Sequence, residues 1–167
     1  RCCGTLSSKD LMSAGAASGS LGGQVTGVSF AIAAADRVPY ASGKSVTLAF
    51  TIATALSSGD QVSLMYPWNF ISSSAAWPSI IASSTGLSVQ SMSSSPSTTV
   101  SNTPVGSISI RVEGSLAAGA HVLTLSGVTF GPPTAGSPTG ITVSTSKDFA
   151  SEGATSGSLG GQVTGVS

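Results

Sequence analysis

Apolar and polar or small residues alternate in "SVTLAFTIAT", where Val46, Leu48, Phe50 and Ile52 are spaced by Thr47, Ala49 and Thr51. A period of two puts every second side chain on one face of an extended chain, so the stretch reads as a half-buried strand. Similar runs are "QVTGVSFAIA", "DQVSLMY", "GLSVQSM", "GSISIRVE", "AHVLTLSGVTF" and "GITVSTS", separated by Gly, Pro and Ser clusters. About seven short strands in one domain-sized unit predict an all-β sandwich. The one helical pattern is "SKDLMSAGAASG", with Ser8 as its capping residue, and Gly15 and Gly19 weaken it.

Two corners share one chemistry. "ALSSGDQVSL" and "SLAAGAHVLTL" each place a Leu, two small residues and a Gly before a new strand. Leu56 and Leu116 are expected to plug the end of the core while Gly59 and Gly119 take positive φ. In "MYPWNF", Pro67 cannot donate to a ladder and marks a strand end, so Trp68 and Phe70 are expected to cap the sandwich. Trp77, in the looser "SSSAAWPS", is expected nearer the surface.

The chain also repeats itself. "KDLMSAGAASGSLGGQVTGVS" from Lys9 aligns without a gap to "KDFASEGATSGSLGGQVTGVS" from Lys147, a constant offset of 138, and 4 of the 21 positions differ. A fixed offset this long, near the size of an independent domain, reads as one bead of a string plus the opening of the next. The expected division is a junction segment over 1–23, a sandwich over 24–148, and over 149–167 a linker with the first strand of the next repeat, a copy of 11–29. The repeat also favours a window on a longer polypeptide, with no signal-peptide pattern following Arg1.

Composition narrows the partners. Charged residues are 7% of the chain and the formal net charge is zero, so little electrostatic repulsion opposes self-association. Such a surface calls for a glycan coat or burial in an assembly, and both point outside the cytosol. Six scattered basic residues balanced by six acids form no track for phosphates, which argues against nucleic acid as a partner. No run of 18 apolar residues appears, so no membrane insertion is expected. Cys2 and Cys3 are adjacent, leaving a vicinal disulfide, an inter-chain bond or two free thiols open. With His121 the only histidine, no metal site is expected, and no other cofactor.

Catalytic chemistry is thinly supplied. Asp36, Asp60, Glu113 and His121 are scattered, with Asp60 after a turn glycine and Asp36 beside Arg37, as surface charges are. "STSK" matches Ser-x-x-Lys, but Ser144 and Lys147 fall in or just after a strand rather than on the helix that motif needs. "GSLGGQV" lacks the preceding strand and following helix of a phosphate loop, so it reads as a hinge feeding the first strand. Ser and Thr make up nearly a third of the chain. Where they crowd beside Pro, at Ser95, Ser97, Thr98, Thr99, Thr103, Thr134, Ser137 and Thr139, they are candidate O-glycosylation sites. Neither asparagine lies in an N-glycosylation motif.

The order "VTLAFTIAT", "LSSGDQVSLMYPWNF", a Ser/Thr-rich stretch, "ISIRVEGSLAAGAHVLTLSGVTFGPPTAG" and "ITVSTSKD" resembles immunoglobulin-like β-sandwich repeats of large extracellular and surface proteins of algae, other protists and bacteria. The resemblance covers roughly Gln24 to Asp148, and "GVTFGPPTAG" and "TVSTSKD" are its most characteristic phrases. It implies a Greek-key sandwich with an extended linker at each end, a structural or adhesive role, and no catalytic motif to carry over. The chain departs from antibody-type domains in lacking a buried Cys…Trp…Cys pattern.

These readings converge on a non-enzymatic subunit of an extracellular fibril or surface appendage whose partners are copies of itself. Its assembly junction is expected at Gly22, Gly23, Gln24, Val25 and Val28 and at their repeats Gly160, Gly161, Gln162, Val163 and Val166. Either one chain strings the sandwiches together, or separate subunits each lend a strand from the segment after Phe149 to a neighbour. The alternative is an adhesin stalk or carbohydrate-binding module using Trp77.

Overall fold

In the computed structural model, which describes residues 22–72, 77–82, 87–93 and 104–160, the alternating runs form eight strands. They are β1 (Thr26–Ala31), β2 (Lys44–Ile52), β3 (Gln61–Pro67), β4 (Ser79–Ala82), β5 (Leu87–Ser93), β6 (Val105–Val112), β7 (Gly119–Val128) and β8 (Thr142–Thr145). All pair antiparallel, in two four-stranded sheets ordered β1-β2-β7-β4 and β5-β6-β3-β8. The count is one above the seven runs of the sequence, because β4 holds only four residues inside a Ser-rich stretch and shows no alternation.

The core lies between the sheets and is built from the expected faces. Val46, Leu48, Phe50 and Ile52 of β2 are buried, with Val62, Leu64 and Tyr66 of β3, Ile108, Ile110 and Val112 of β6, and Leu123 and Leu125 of β7. The two similar corners meet. Leu56 and Leu116 are both buried and exchange backbone hydrogen bonds of 2.8 and 2.9 Å, while Gly59 and Gly119 hold φ of 94° and 132°. At the opposite end Phe30, Phe70 and Phe130 close the core in edge-to-face contacts, their centroids 6.0 and 6.1 Å apart. Phe70 is therefore a cap, as expected, whereas Trp68 is only half-buried.

Tyr66 crosses the core against Gly106, its register partner on β6, where a methyl group would lie 2.3 Å from the ring. The Tyr66 hydroxyl is buried without a hydrogen-bond partner, and burial pushes its pKa up to about 12. An unpaired buried hydroxyl costs more than it contributes, so Tyr66→Phe is expected to raise stability by about 1 kcal/mol in urea melts. It should also remove an alkaline effect. The folded tyrosine keeps its proton above its unfolded pKa of about 10, so the wild-type chain loses stability as pH rises from there toward 12.

The strand registers define two poles. The incoming pole holds the starts of β1, β3 and β7 and the ends of β2, β6 and β8; the outgoing pole holds the reverse set. The only helical turn among the described residues, Ala34–Asp36, sits at the outgoing pole between β1 and β2. The sequence's helical pattern, Ser8–Gly19, lies outside the described residues, and its second copy, from Ser146 on, is not helical: those residues run extended along the sandwich.

Candidate assembly junction

The chain enters at the incoming pole through Gly22–Val25, which lies beside the segment leaving β8. Gln24 bridges Phe149 in parallel, with Val25 N donating to Phe149 O at 3.1 Å and Phe149 N to Gly23 O at 2.9 Å. The Gln24 side chain adds a bond from Nε2 to Ala150 O, 3.1 Å. Such closeness requires glycine. A methyl group on Gly22 would lie 2.5 Å from Lys147 O, and one on Gly23 would lie 2.1 Å from Ala53 Cβ. Val25 is wholly buried, and Val28 packs against the core from β1.

The repeated Lys-Asp pair fastens this pole. Asp148 is buried, and its Oδ2 accepts the amides of Ala53 at 3.0 Å and Thr54 at 3.1 Å. Burial pushes its carboxyl up, but hydrogen bonds from Thr54 and Ala53 outweigh it and hold the pKa below the ordinary aspartate value, while Oδ1 is buried without a hydrogen-bond partner. Lys147 Nζ pairs with Asp60 at 2.8 Å and donates to Ala55 O at 3.2 Å. Asp60 also accepts from the Ser57 amide and the Ser146 hydroxyl, and with Lys147 these bring its pKa down to about 2. Sequence reading took Asp60 for an ordinary surface charge and gave Asp148 no role.

Residues 149–160, expected as linker, return along the edge of β8 toward the outgoing pole. Ser151 N donates to Val143 O, Ala154 exchanges backbone bonds with Ile141, Ser156 N reaches Ser137 O, and Leu159 exchanges bonds with Thr134. Two buried serines complete the dock: Ser151 Oγ accepts the Val143 amide at 3.1 Å and Ser156 Oγ the Ser137 amide at 3.0 Å. Leu159 is buried in the core. Arg37 then ties down the end. Its Nη1 donates to Ser156 O and Ser158 O at 3.3 and 3.1 Å, and its carbonyl accepts the Gly160 amide at 3.0 Å.

Comparing the two copies adds a constraint. The four differing positions, Phe149, Ala150, Glu152 and Thr155, are all exposed, whereas the buried Asp148, Ser151, Ser156 and Leu159 are identical in the first copy. Residues 9–21 thus keep every residue that the returning segment buries. A groove of about 710 Å³ remains between β1 and Ser151–Thr155, and β1 is the edge strand of its sheet.

The four titratable candidates stay apart. Asp36 pairs with Lys44 at 2.8 Å, Asp60 with Lys147, and Glu113 with Ser88 and Arg111, while His121 Nε2 donates to Ala117 O. Ser144 lies on β8 and Lys147 is engaged with Asp60, so the Ser-x-x-Lys match brings no amine to the serine. Among the described residues no group of three His, Cys, Asp or Glu converges, and no helix is long and apolar enough to cross a membrane. Of the glycosylation candidates Thr139 is exposed, whereas Thr134 and Ser137 are half-buried and the Thr134 hydroxyl donates to Pro132 O at 2.9 Å. Ser95, Ser97, Thr98, Thr99, Thr103, Cys2, Cys3, Gly161, Gln162, Val163 and Val166 lie outside the described residues. No protein-family model, curated protein or solved structure matches the chain.

Proposed function

We propose that this chain is a non-enzymatic structural module of an extracellular fibril or surface appendage, joined head to tail through its repeated junction and carrying O-linked glycans. One observation carries the reading: the backbone comes in at one pole, leaves at the other, and the residues that follow Gly160 repeat those that lead into β1. Units joined this way stack along an axis, and a contact between unlike faces propagates unless its rotation closes a ring. The low charge and Ser/Thr-rich composition fit a glycan-coated assembly. The immunoglobulin-like, Greek-key assignment belongs to the same proposal. What supports it is the pairing of non-consecutive strands, β2 with β7 and β3 with β6, across two facing sheets.

The test is electron microscopy of native material together with a chain lacking Gly160–Ser167. Expected are continuous filaments with an axial rise on the order of 40 Å, about one nine-residue strand plus its end caps. The deleted chain should fold but fail to assemble. Isolated, unglycosylated particles in native material would overturn the reading.

A second reading draws on Trp77, which is 56% exposed, as an adhesin stalk or carbohydrate-binding module would want. That reading expects Trp77→Ala to abolish retention on immobilised glycans while leaving assembly intact.

A further inference from the structure

We infer that successive copies of this module abut directly, the Val38–Tyr40 loop of one copy seating against Phe149 and Lys147 of the next. The inference rests on the head-to-tail reading above and specifies its joint.

The argument starts from one residue with two surroundings. By the 138-residue offset, Gly160 of one copy is Gly22 of the next. As Gly160 its amide is held by Arg37 O at the outgoing pole, its φ is +83°, and a methyl group there would lie 3.0 Å from Pro39 Cγ. As Gly22 it sits at the incoming pole, where a methyl group would lie 2.5 Å from Lys147 O and 4.0 Å from Phe149 Cε2. In a joined pair both surroundings meet at one point. Pro39 of the first copy and Phe149 of the second then both lie near the same Cα, whose backbone is left-handed beside Pro39 and not beside Lys147. Glycine is demanded in both surroundings, by the Lys147 carbonyl in one and by the positive φ beside Pro39 in the other.

Chain length forces the same closeness. Leu159 is in the core of one copy, and Val163 repeats Val25, which is in the core of the next. Four residue steps separate them, a reach of at most about 14 Å even fully extended. That leaves no slack for two sandwiches to swing freely.

The facing surfaces are apolar. Val38 and Tyr40 are 50% and 70% exposed at the outgoing pole, and Phe149 is 60% exposed at the incoming pole. Tyr40 also holds φ of 59°, a conformation uncommon for a bulky residue, with its N–H donating a hydrogen bond to Gly131 O at 2.9 Å. A strained backbone kept at an exposed aromatic tip is consistent with a contact role for Tyr40. The first copy of the repeat has Leu11 where the second has Phe149, so the residue type at this position is apolar in both copies.

The test uses the full chain extended in register by residues 30–167, which yields two sandwiches, with Cys2 and Cys3 replaced by Ser. Spin labels at Ser91→Cys in each copy report the distance between them by pulsed electron resonance. One narrow distance distribution is expected. Four Gly-Ser residues inserted after Gly160 should widen it at least about twofold. Val38→Ser with Tyr40→Asn in the first copy should widen it as well, whereas the same pair in the second copy, which faces no neighbour, should not. A parent distribution as broad as that of the insertion variant would overturn the joint, and so would an unchanged width in the first-copy variant. Broad distances alongside native filaments would sink the joint alone, leaving beads on a loose string. Narrow distances with no native filament would instead sink the fibril reading.

Discussion

Truncation after Asp148 is expected to cost about 3 kcal/mol, because it removes the buried Leu159 side chain and the hydrogen bonds of Ser151 and Ser156, less the entropy regained by the freed chain. Truncation after Gly160 should cost almost nothing, since the docked segment stays in place. Domains commonly have only about 5–15 kcal/mol of stability, so the first truncation should move the urea midpoint by a large fraction and the second should not. The pair of melts decides whether residues 149–160 belong energetically to the sandwich they touch. Equal midpoints would mean that the segment is merely laid on the surface.

The second large effect belongs to Asp148. Asp148→Ala leaves the Ala53 and Thr54 amides without their acceptor and releases the strap between the end of β2 and the segment after β8, at an expected cost of about 3 kcal/mol near neutral pH. The loss should shrink in acid. A carboxylate whose folded pKa is depressed stabilises the fold above its unfolded pKa of about 3.9, and that stabilisation disappears as pH falls through the folded value. Asp60, brought down to about 2, acts in the same direction. Wild-type stability should therefore fall between about pH 4 and pH 2, and Asp148→Ala should show a shallower fall over that window. Denaturant melts at a series of pH values give both slopes. Parallel acid limbs would mean that Asp148 contributes no charge-dependent stability.

Local alternation made most of the sandwich legible. The β2 face was readable because Val46, Leu48, Phe50 and Ile52 are each followed by a small or polar residue, and all four are buried. The corners were readable because Gly59 and Gly119 sit at the same offset from Leu56 and Leu116, although nothing local told that the two corners would bind each other. β4 was missed because Ile80 and Ile81 are adjacent rather than alternate, and pairing to β7 supplies what the pattern lacks. The junction was harder. The repeat singled out Gly22 and Gly23, whose backbone closely approaches Lys147 and Ala53, but the docking of 149–160 depends on Ser151 and Ser156, and a serine that accepts a backbone amide looks like any loop serine in sequence. Asp148 and Lys147 were hidden likewise, since their partners Ala53, Thr54, Ala55 and Asp60 lie far away along the chain. One signal was available: the four positions that vary between the copies, Phe149, Ala150, Glu152 and Thr155, are all exposed, and none of the buried ones varies.

The parallel bridge between Gln24 and Phe149 has a mechanical consequence. A pull between Gly22 at one pole and Gly160 at the other drags the incoming strand outward one way and the returning segment the other. Their hydrogen bonds run across the direction of pull, so the bonds from Val25, Phe149 and Gln24 are loaded together, in shear, instead of being peeled one after another. Rupture under tension is governed by the height of the unfolding barrier rather than by equilibrium stability, and loading several bonds at once raises that barrier. The short lap joint at the incoming pole is thus the element of the module that resists such a pull, and in the proposed string of modules load would pass through each such joint in turn.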